Sequence, residues 1–303
     1  MIELLRIGTR GSPLALAQAR LVADALREAH RWGPERIEIV PMTTTGDMVS
    51  DRPLAEAGGK GLWTKELDRA LAEGITDISV HSMKDVETIR PAELRIAAML
   101  PRADVRDRLV GAETIAALPE GARVGTSSPR RAAQLLRRRP DLAIVPFRGN
   151  VQTRLRKLEM GEADATLLAA AGLDRLDHPG IGTPLDDLLP APGQGAIGIE
   201  MLEGNRRLRP LIEAIDDAAT HVCVAAERRL LAGLGGSCRS PVAALATLEG
   251  GQIRLRAEIL TGDGSDCRDL DTRYAAGDEQ APLALARELL RGAGPQLWAL
   301  FSG

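Results

Sequence analysis

An internal repeat constrains the fold of this chain more than any other feature of its sequence. The segments IGTRGSPLALAQ (residues 7–18) and VGTSSPRRAAQL (residues 124–135) both run through Gly-Thr and Ser-Pro into an alanine-rich stretch. Ser12 and Ser128 are suited to cap a helix, and the proline after each fits the first helical position. Each segment is therefore predicted to be a strand, a turn and a helix in succession.

A second matched pair follows in the same order. LAEGITDISV (residues 71–80) and LEMGEADATL (residues 158–167) share Leu-x-x-Gly-x-x-Asp before a strand, and a basic glycine-containing segment opens a helix ahead of each. Strands that alternate with helices of this length indicate a mostly parallel sheet covered on both faces. Ligands of such sheets bind at the carboxyl ends of the strands, beside helix N-termini.

The rest of the chain has a different pattern. PAPGQGAIGIE (residues 190–200) is predicted to be a hinge that leads into a short strand, and residues 205–216 a capped helix that returns to the first half. After a helix at about residues 220–232, three alternating strands are expected, VAALATLE, QIRLRAEIL and CRDLDTRY, joined by glycine-rich turns. One last helix is predicted over residues 281–301.

These patterns predict an α/β protein with two similar doubly wound lobes, like those of two-lobed binding proteins, and a small C-terminal antiparallel α+β domain. The first lobe is assigned residues 1–100 with 197–217, and the second lobe residues 101–196. The C-terminal domain is assigned residues 218–303. The length of 303 residues is ample for this division.

Composition limits the partners of the chain. With 44% apolar and 27% charged residues and no long apolar run, we expect a soluble protein that does not enter a membrane. A net charge of −3 argues against general nucleic-acid binding. No secretory signal is visible, so the expected location is the cytoplasm. Cys223, Cys238 and Cys267 form no Cys-x-x-Cys pair, and the four histidines offer no zinc spacing, so neither a disulfide framework nor a metal site is expected.

Basic residues nevertheless cluster near predicted helix starts. Arg137, Arg138 and Arg139 are interpreted as a solvated helix face. A cation at a helix start opposes the helix dipole, at a cost of roughly 0.3–1 kcal/mol, unless an anion binds there. The cations placed at strand ends or helix starts are Arg10, Lys60, Lys84, Arg130, Arg131, Arg148 and Arg154. Together they suit a substrate with several carboxylates or phosphates, and arginine binds a carboxylate through two parallel hydrogen bonds.

Two further residues allow two interpretations each. Asp85 could be an ion-pair partner of Lys84 or of a nearby arginine, or a carboxylate that stabilises a developing cation or moves a proton. Cys238, in GLGGSCRSPV, could be a small buried hydrophobic residue or a covalent anchor. A glycine-rich loop is a poor core, and no histidine is an evident partner for a cysteine nucleophile.

Eight segments in order give the chain a resemblance to the porphobilinogen deaminase family over nearly its whole length. They are RIGTRGSPLALAQA, GGKGLWTKEL, VHSMKDV, VGTSSPRR, RGNVQTRL, LAAAGLDRL, APGQGAIGIE and GGSCRSPVAA. The resemblance implies an enzyme that joins four porphobilinogen molecules head to tail on a dipyrromethane cofactor, with release of ammonia. Water then releases the linear tetrapyrrole hydroxymethylbilane.

The resemblance also implies a role for individual residues. Cys238 would hold the dipyrromethane through a thioether, and Asp85 would be the catalytic carboxylate. The positions implied for binding cofactor, substrate and growing chain are Arg10, Ser12, Lys60, Ser82, Lys84, Thr126, Ser127, Ser128, Arg130, Arg131, Arg148, Gly149, Arg154, Arg175 and Gln194. The enzyme would act as a monomer, with porphobilinogen and the growing chain as its partners.

Four positions depart from the family's usual residues: Glu56, Trp63, Glu87 and Pro129. None removes a catalytic group, but Glu56 and Trp63 flank the expected cleft loop. The alternative function is that of a non-enzymatic two-lobed binder of a carboxylated small molecule. Such a binder would need neither Cys238, nor Asp85, nor the third domain.

Overall fold

A computed structural model describes residues 3–44, 63–236 and 240–301. The chain separates into two compact units, Met1–Ala103 with Ala196–His221, and Asp104–Gly195 with Val222–Gly303. The first unit has one hydrophobic core, which includes Ile7 and Ile199. The second has two, one in its α/β part and one in its C-terminal part. The division into three domains stays a prediction.

The helices and strands of the described residues are as follows. The strands are β1 (Leu5–Arg10), β2 (Ile37–Met42), β3 (Ile78–Ser82), β4 (Leu94–Met99), β5 (Asp107–Val110), β6 (Arg123–Gly125), β7 (Ala143–Val145), β8 (Ala165–Ala169), β9 (Thr183–Leu185), β10 (Ile197–Leu202), β11 (Val242–Glu249), β12 (Gln252–Leu260) and β13 (Cys267–Ala275). The α-helices are α1 (Pro13–His30), α2 (Lys65–Ala72), α3 (Pro129–Arg138), α4 (Val151–Glu159), α5 (Ala170–Asp174), α6 (Arg209–Glu213), α7 (Ala218–Gly233), α8 (Ala281–Arg291) and α9 (Pro295–Ala299). Short 3₁₀ helices span Pro34–Arg36 and Met83–Asp85.

The two α/β sheets have the same arrangement. The first has the order β2-β1-β3-β10-β4, and the second has the order β7-β6-β8-β5-β9. In the first sheet β1 pairs parallel with β2 and β3, whereas β10 pairs antiparallel with both of its neighbours. In the second sheet β6 likewise pairs parallel with β7 and β8, and β5 pairs antiparallel with β8 and β9. Four strands of each sheet therefore share one direction, which confirms the predicted repeat and its mostly parallel sheets.

The repeated Ser-Pro turns form the helix starts that were predicted. The Ser12 hydroxyl accepts a hydrogen bond from the backbone N–H of Ala15 at 3.3 Å, and α1 begins at the next residue, Pro13. The Ser128 hydroxyl accepts from the backbone N–H of Arg131 at 3.4 Å. Buried side chains at helical spacing then dock α1 on its sheet.

The three C-terminal strands form the antiparallel sheet that was predicted, in the order β11-β12-β13. Alternate residues of β12, Ile253, Leu255, Ala257 and Ile259, are buried in the C-terminal core. Since successive side chains of a strand point to opposite faces, Glu258 projects from the other face of this sheet.

Two predicted helices differ from the observed ones. The helix expected over residues 281–301 is two helices, α8 and α9: Gly292 follows the last residue of the first, and Gly294 and Pro295 form the start of the second. The helix expected over residues 205–216 is the short α6, which lies in the first unit as predicted. No helix in the described part of the chain has both the length and the apolar character required to cross a membrane.

Candidate active site

The carboxyl ends of β1 and β3 bring together the predicted site residues of the first unit that the structure describes. Arg10 is the last residue of β1, and Ser82 is the last residue of β3. The 3₁₀ turn Met83–Asp85 follows directly and carries Lys84 and Asp85, which are both partly exposed. A cleft at this edge of the sheet is lined by residues that include Arg10, Ser12, Gln18, Trp63, Ser82 and Asp85.

Arg10 is held against an aromatic ring in this cleft. The guanidinium carbon of Arg10 lies 3.9 Å from the centre of the Trp63 ring, a cation–π contact. Such a contact covers one face of the planar guanidinium and leaves its N–H groups, which lie in the plane, able to meet a carboxylate. Trp63, one of the departures from the family's usual residues, thus contacts a predicted binding residue.

Gln18 also lines this cleft, although it was not predicted from the sequence as a site residue. It is 3% exposed, and its side-chain amide donates to the Ser82 hydroxyl at 2.7 Å. The signal in the sequence was a polar residue on the buried face of α1, between Ala15 and Ala19. A buried amide needs a partner, and here that partner orients a predicted binding residue.

A buried ionic network lies behind this cleft. Arg90 donates to both oxygens of Glu200, which also contacts Nε2 of His81 at 3.1 Å. Arg90 pairs as well with Asp68 and with Glu87. Although burial works against its charge, the contacts with His81 and Arg90 lower the pKa of Glu200 to about 2. Glu87, another departure from the family's usual residues, therefore has a structural partner.

In the second unit, Arg130 and Arg131 share one buried carboxylate. Nη2 of Arg130 lies 2.8 Å from one oxygen of Asp107, and Nη2 of Arg131 lies 2.7 Å from the other. All three side chains are buried, with Asp107 only 1% exposed. Burial alone would raise the pKa of Asp107, but the two guanidiniums outweigh it and hold the pKa well below its usual range.

The two cations at the start of α3 are partly neutralised within the protein, which the sequence did not indicate. The anion that compensates these two cations at the start of α3 is Asp107, a residue of the protein itself. Its signal in the sequence was an acidic residue at the first position of the short strand β5, ahead of Leu109 and Val110. Two guanidiniums and one carboxylate still leave one net positive charge, so a ligand role for the pair is compatible with the geometry.

Gln194 and Arg175 are connected to the same cluster. The Gln194 amide donates to Asp107 at 2.9 Å, and Nη2 of Arg175 donates to the backbone carbonyl of Gly195 at 2.7 Å. Burial lowers the pKa of Arg175 to about 10. The charge of the neighbouring Asp174 opposes this effect, but among the described residues Arg175 forms no ion pair with a carboxylate. An anionic ligand would therefore compensate for the burial of this cation.

The turn between β6 and α3 contains the other predicted polar residues. Thr126 is buried, and its hydroxyl accepts from the backbone N–H of Ser128 at 3.1 Å. The exposed Ser127 donates its hydroxyl to the carbonyl of Phe147 at 2.9 Å. The turn after β6 is thereby joined to the segment after β7, which carries Arg148.

Arg148 is a further predicted binding residue whose side chain is suited to an acidic ligand. Its Nη1 is buried and has no hydrogen-bond partner within the described parts of the chain. Gly149 follows with φ of 104°, and a Cβ there would lie 2.7 Å from Cγ2 of Thr153, so this position requires glycine. Arg154 returns from α4 to donate to the carbonyl of Gly149 at 3.0 Å.

Two predicted site residues, Lys60 and Cys238, lie outside the described residues, as does Glu56. The described ranges contain no group of three or more histidine, cysteine or acidic side chains placed to hold a metal ion. Cys223 is buried and Cys267 is half-buried. Burial raises the pKa of the Cys267 thiol to about 12, which makes it a poor nucleophile.

Two family models together match most of this chain. Residues 5–210 match the family model "Porphobilinogen deaminase, dipyromethane cofactor binding domain", and residues 221–291 match "Porphobilinogen deaminase, C-terminal domain". The chain is 56% identical to a porphobilinogen deaminase of Sphingopyxis alaskensis, over 98% of this chain and 96% of that protein. It is 51% identical to that of Paracoccus denitrificans, over 96% and 95%.

A solved structure with a similar chain trace is a periplasmic substrate-binding protein of an ABC transporter from Coxiella burnetii. It covers 74% of this chain and 97% of its own, with 15% identity and a TM-score of 0.43.

Proposed function

The chain belongs to the porphobilinogen deaminase family, and from this premise we propose how its own residues divide the work of the reaction. The enzyme is a transferase that condenses four porphobilinogen molecules head to tail on a covalent dipyrromethane primer. One ammonia leaves at each condensation, and water finally releases the linear tetrapyrrole. Since the family is enzymatic, the alternative of a non-enzymatic binder is set aside.

The observation that carries the catalytic assignment is the position of Asp85. Among the described residues that line the cleft of the first unit, Asp85 is the sole carboxylate, and it shares the cleft with Arg10. When the C–N bond of the protonated aminomethyl group breaks, its electron pair leaves with ammonia, and positive charge remains on the pyrrole. We assign to the side chain of Asp85 the stabilisation of that charge as it develops. Arg10, Ser12, Ser82 and Lys84 would bind the acetate and propionate groups around it.

The residues of the second unit fit a ligand with several carboxylates. The buried, unpartnered Nη1 of Arg148 and the desolvated guanidinium of Arg175 are both suited to an anion. When bound, the dipyrromethane supplies the pyrrole carbon to which the first substrate unit is joined. Its carboxylates, and those of the growing chain, are assigned to Arg130, Arg131, Arg148, Arg154 and Arg175, with hydrogen bonds from Thr126, Ser127, Ser128, the backbone of Gly149 and Gln194. Lys60, a residue of the first unit outside the described residues, is proposed as a further binding cation.

Cys238 is proposed to anchor the dipyrromethane through a thioether. The two other cysteines are less suited, since Cys223 is buried in the C-terminal core and the pKa of Cys267 is raised. We also propose that the protein works in the cytoplasm as a monomer, without a membrane or a nucleic acid as partner. Its net charge of −3 provides no general attraction to nucleic acid.

The intact mass of the purified protein tests the anchor. A covalent excess matching two linked pyrroles is expected in the parent and should disappear in Cys238→Ser, because a hydroxyl is a far weaker nucleophile than a thiol. Cys223→Ser and Cys267→Ser are the matched controls and should keep the excess. A normal adduct in Cys238→Ser would show that the anchor is a different residue.

A further inference from the structure

The guanidinium of Arg130 is held by acceptors on two sides. Nη2 meets Asp107, and Nη1 donates to the side-chain oxygen of Gln134 and to the carbonyl of Leu189, each at 2.9 Å. Gln134 lies one helical turn after Arg130 on α3 and has no exposed surface. The orientation of its amide therefore decides whether Arg130 meets an acceptor or a donor at this point.

Glu258 fixes that orientation together with the backbone carbonyl of Leu189. The side-chain nitrogen of Gln134 donates to Oε2 of Glu258 at 2.8 Å and to the carbonyl of Leu189 at 3.0 Å. With the nitrogen facing a carboxylate, the amide oxygen must face Arg130. If the amide turned over, its N–H₂ would meet the guanidinium, donor against donor, while its oxygen would face the carboxylate. Only one of the two orientations satisfies both neighbours.

The side chain of Glu258 is itself held in position by its surroundings. It lies on β12 of the C-terminal sheet, and its other oxygen accepts a hydrogen bond from the thiol of Cys267 at 3.4 Å. Close by, the turn between β12 and β13 packs directly on the backbone of α3. A Cβ on Gly264 would lie 2.4 Å from the carbonyl oxygen of Ala133, so the sheet and the helix are in tight contact there.

We propose that Glu258, acting through Gln134, is a positioning residue for the Arg130 guanidinium, so that the C-terminal sheet sets the geometry of the arginine pair. The proposal rests on the assignment of Arg130 to ligand carboxylates made above. Burial lowers the pKa of Arg130, and the negative charge of Glu258 opposes this effect. Glu258 therefore also helps, to a smaller extent, to keep the guanidinium charged. The C-terminal domain thereby has a role in ligand binding besides carrying Cys238.

The test compares Glu258→Ala with Glu258→Gln in the full-length protein as purified. The alanine variant loses the acceptor, whereas glutamine keeps an oxygen for the Gln134 amide. For Glu258→Ala we expect the share of chains with the covalent pyrrole adduct to fall to about half or less and KM to rise roughly fivefold, with kcat little changed. Glu258→Gln should restore both. Glu249→Ala on β11, whose carboxylate pairs with the exposed Arg273, is the matched control.

A double variant tests the route through Gln134. If Glu258 acts by way of this amide, Glu258→Ala should add nothing to the defect of Gln134→Leu, so that the two changes are not additive. Equal losses in Glu258→Ala and Glu258→Gln would overturn the orientation mechanism. The mechanism would also be overturned if Glu258→Ala had a normal adduct and a normal KM while Arg130→Leu was defective. That outcome would leave the proposed function intact. Normal behaviour of Arg130→Leu itself would instead contradict the ligand assignment of Arg130.

Discussion

Nε of Arg90 lies 2.7 Å from Oε1 of Glu200, and this ion pair is buried behind the cleft that contains Asp85. The pair joins the segment that follows Asp85 to the antiparallel strand β10. Arg90 also donates to the hydroxyl of Thr64, which lines the cleft beside Trp63. One guanidinium thus connects three separate segments around the site.

Arg90→Met should be strongly destabilising, because it leaves Glu200 and Asp68 partly or fully buried without their cation. Breaking a buried pair in this way costs about 3–5 kcal/mol of unfolding free energy. Urea unfolding of the variant measures the effect, with Arg69→Met, at an exposed position on α2, as the control. A loss below about 1 kcal/mol would mean that the network contributes little to stability.

The stability of the protein should fall in acid partly because of Glu200. Folding lowers the pKa of this carboxyl from 4.5 to about 2, so its contribution is complete above about pH 4.5 and is lost as the pH falls toward 2. The shift corresponds to roughly 3 kcal/mol. Urea unfolding between pH 6 and pH 2.5 should show the difference between the parent and Glu200→Gln shrinking with acidity. A difference that stays constant over this range would contradict the assignment.

Asp85→Asn should separate catalysis from folding, since it keeps the shape of the side chain and removes its charge. We expect a normal adduct, a melting temperature close to that of the parent, and turnover reduced about a hundredfold or more. Asp24→Asn, at an exposed position on α1, is the control. Unchanged turnover with a lowered melting temperature would support the ion-pair interpretation of Asp85 instead.

The arginines of the second unit should differ in when they are needed. Arg130→Leu and Arg131→Leu should give mainly protein without the adduct, whereas Arg148→Leu and Arg175→Leu should carry it but stall with partial chains. The reason is that each added pyrrole brings two carboxylates, which need further cations in a partly desolvated site. Native mass spectrometry after brief incubation with porphobilinogen would show the stopping points.

Arg130 and Arg131 also neutralise the buried carboxylate of Asp107, so their replacement affects folding as well. The unfolding free energy of each variant is therefore measured together with its adduct pattern. Identical adduct patterns in all four variants and the parent would mean that the ligand carboxylates bind elsewhere.

The local features of the fold could be predicted from the sequence because their causes are local. Ser12 and Ser128 cap helices through atoms three residues away, and the alternation along β12 shows directly which side chains are buried. The break between α8 and α9 was missed, although the glycines that cause it are visible in the sequence. The chain's resemblance to its family likewise depended only on the order of short motifs.

The pairing of charges could not be predicted in this way. The sequence indicated that cations lie at the start of α3, but not that Asp107, more than twenty residues earlier, compensates them. Nor did it indicate that Gln18 meets Ser82, or that Gln134 meets Glu258. These partners are distant in the chain and become neighbours only when β5 and β12 pack beside α3, and when α1 packs beside β3.

The sequence by itself thus determined the repeated α/β order, the helix starts, the C-terminal strands and the family. Those properties follow from short-range backbone preferences and from the spacing of apolar residues. The tertiary structure alone decided which cations are already neutralised and which, like Arg148 and Arg175, still lack a carboxylate among the described residues. The reason is physical: the strength of a charge interaction depends on distance and burial, and neither is set until remote segments pack together.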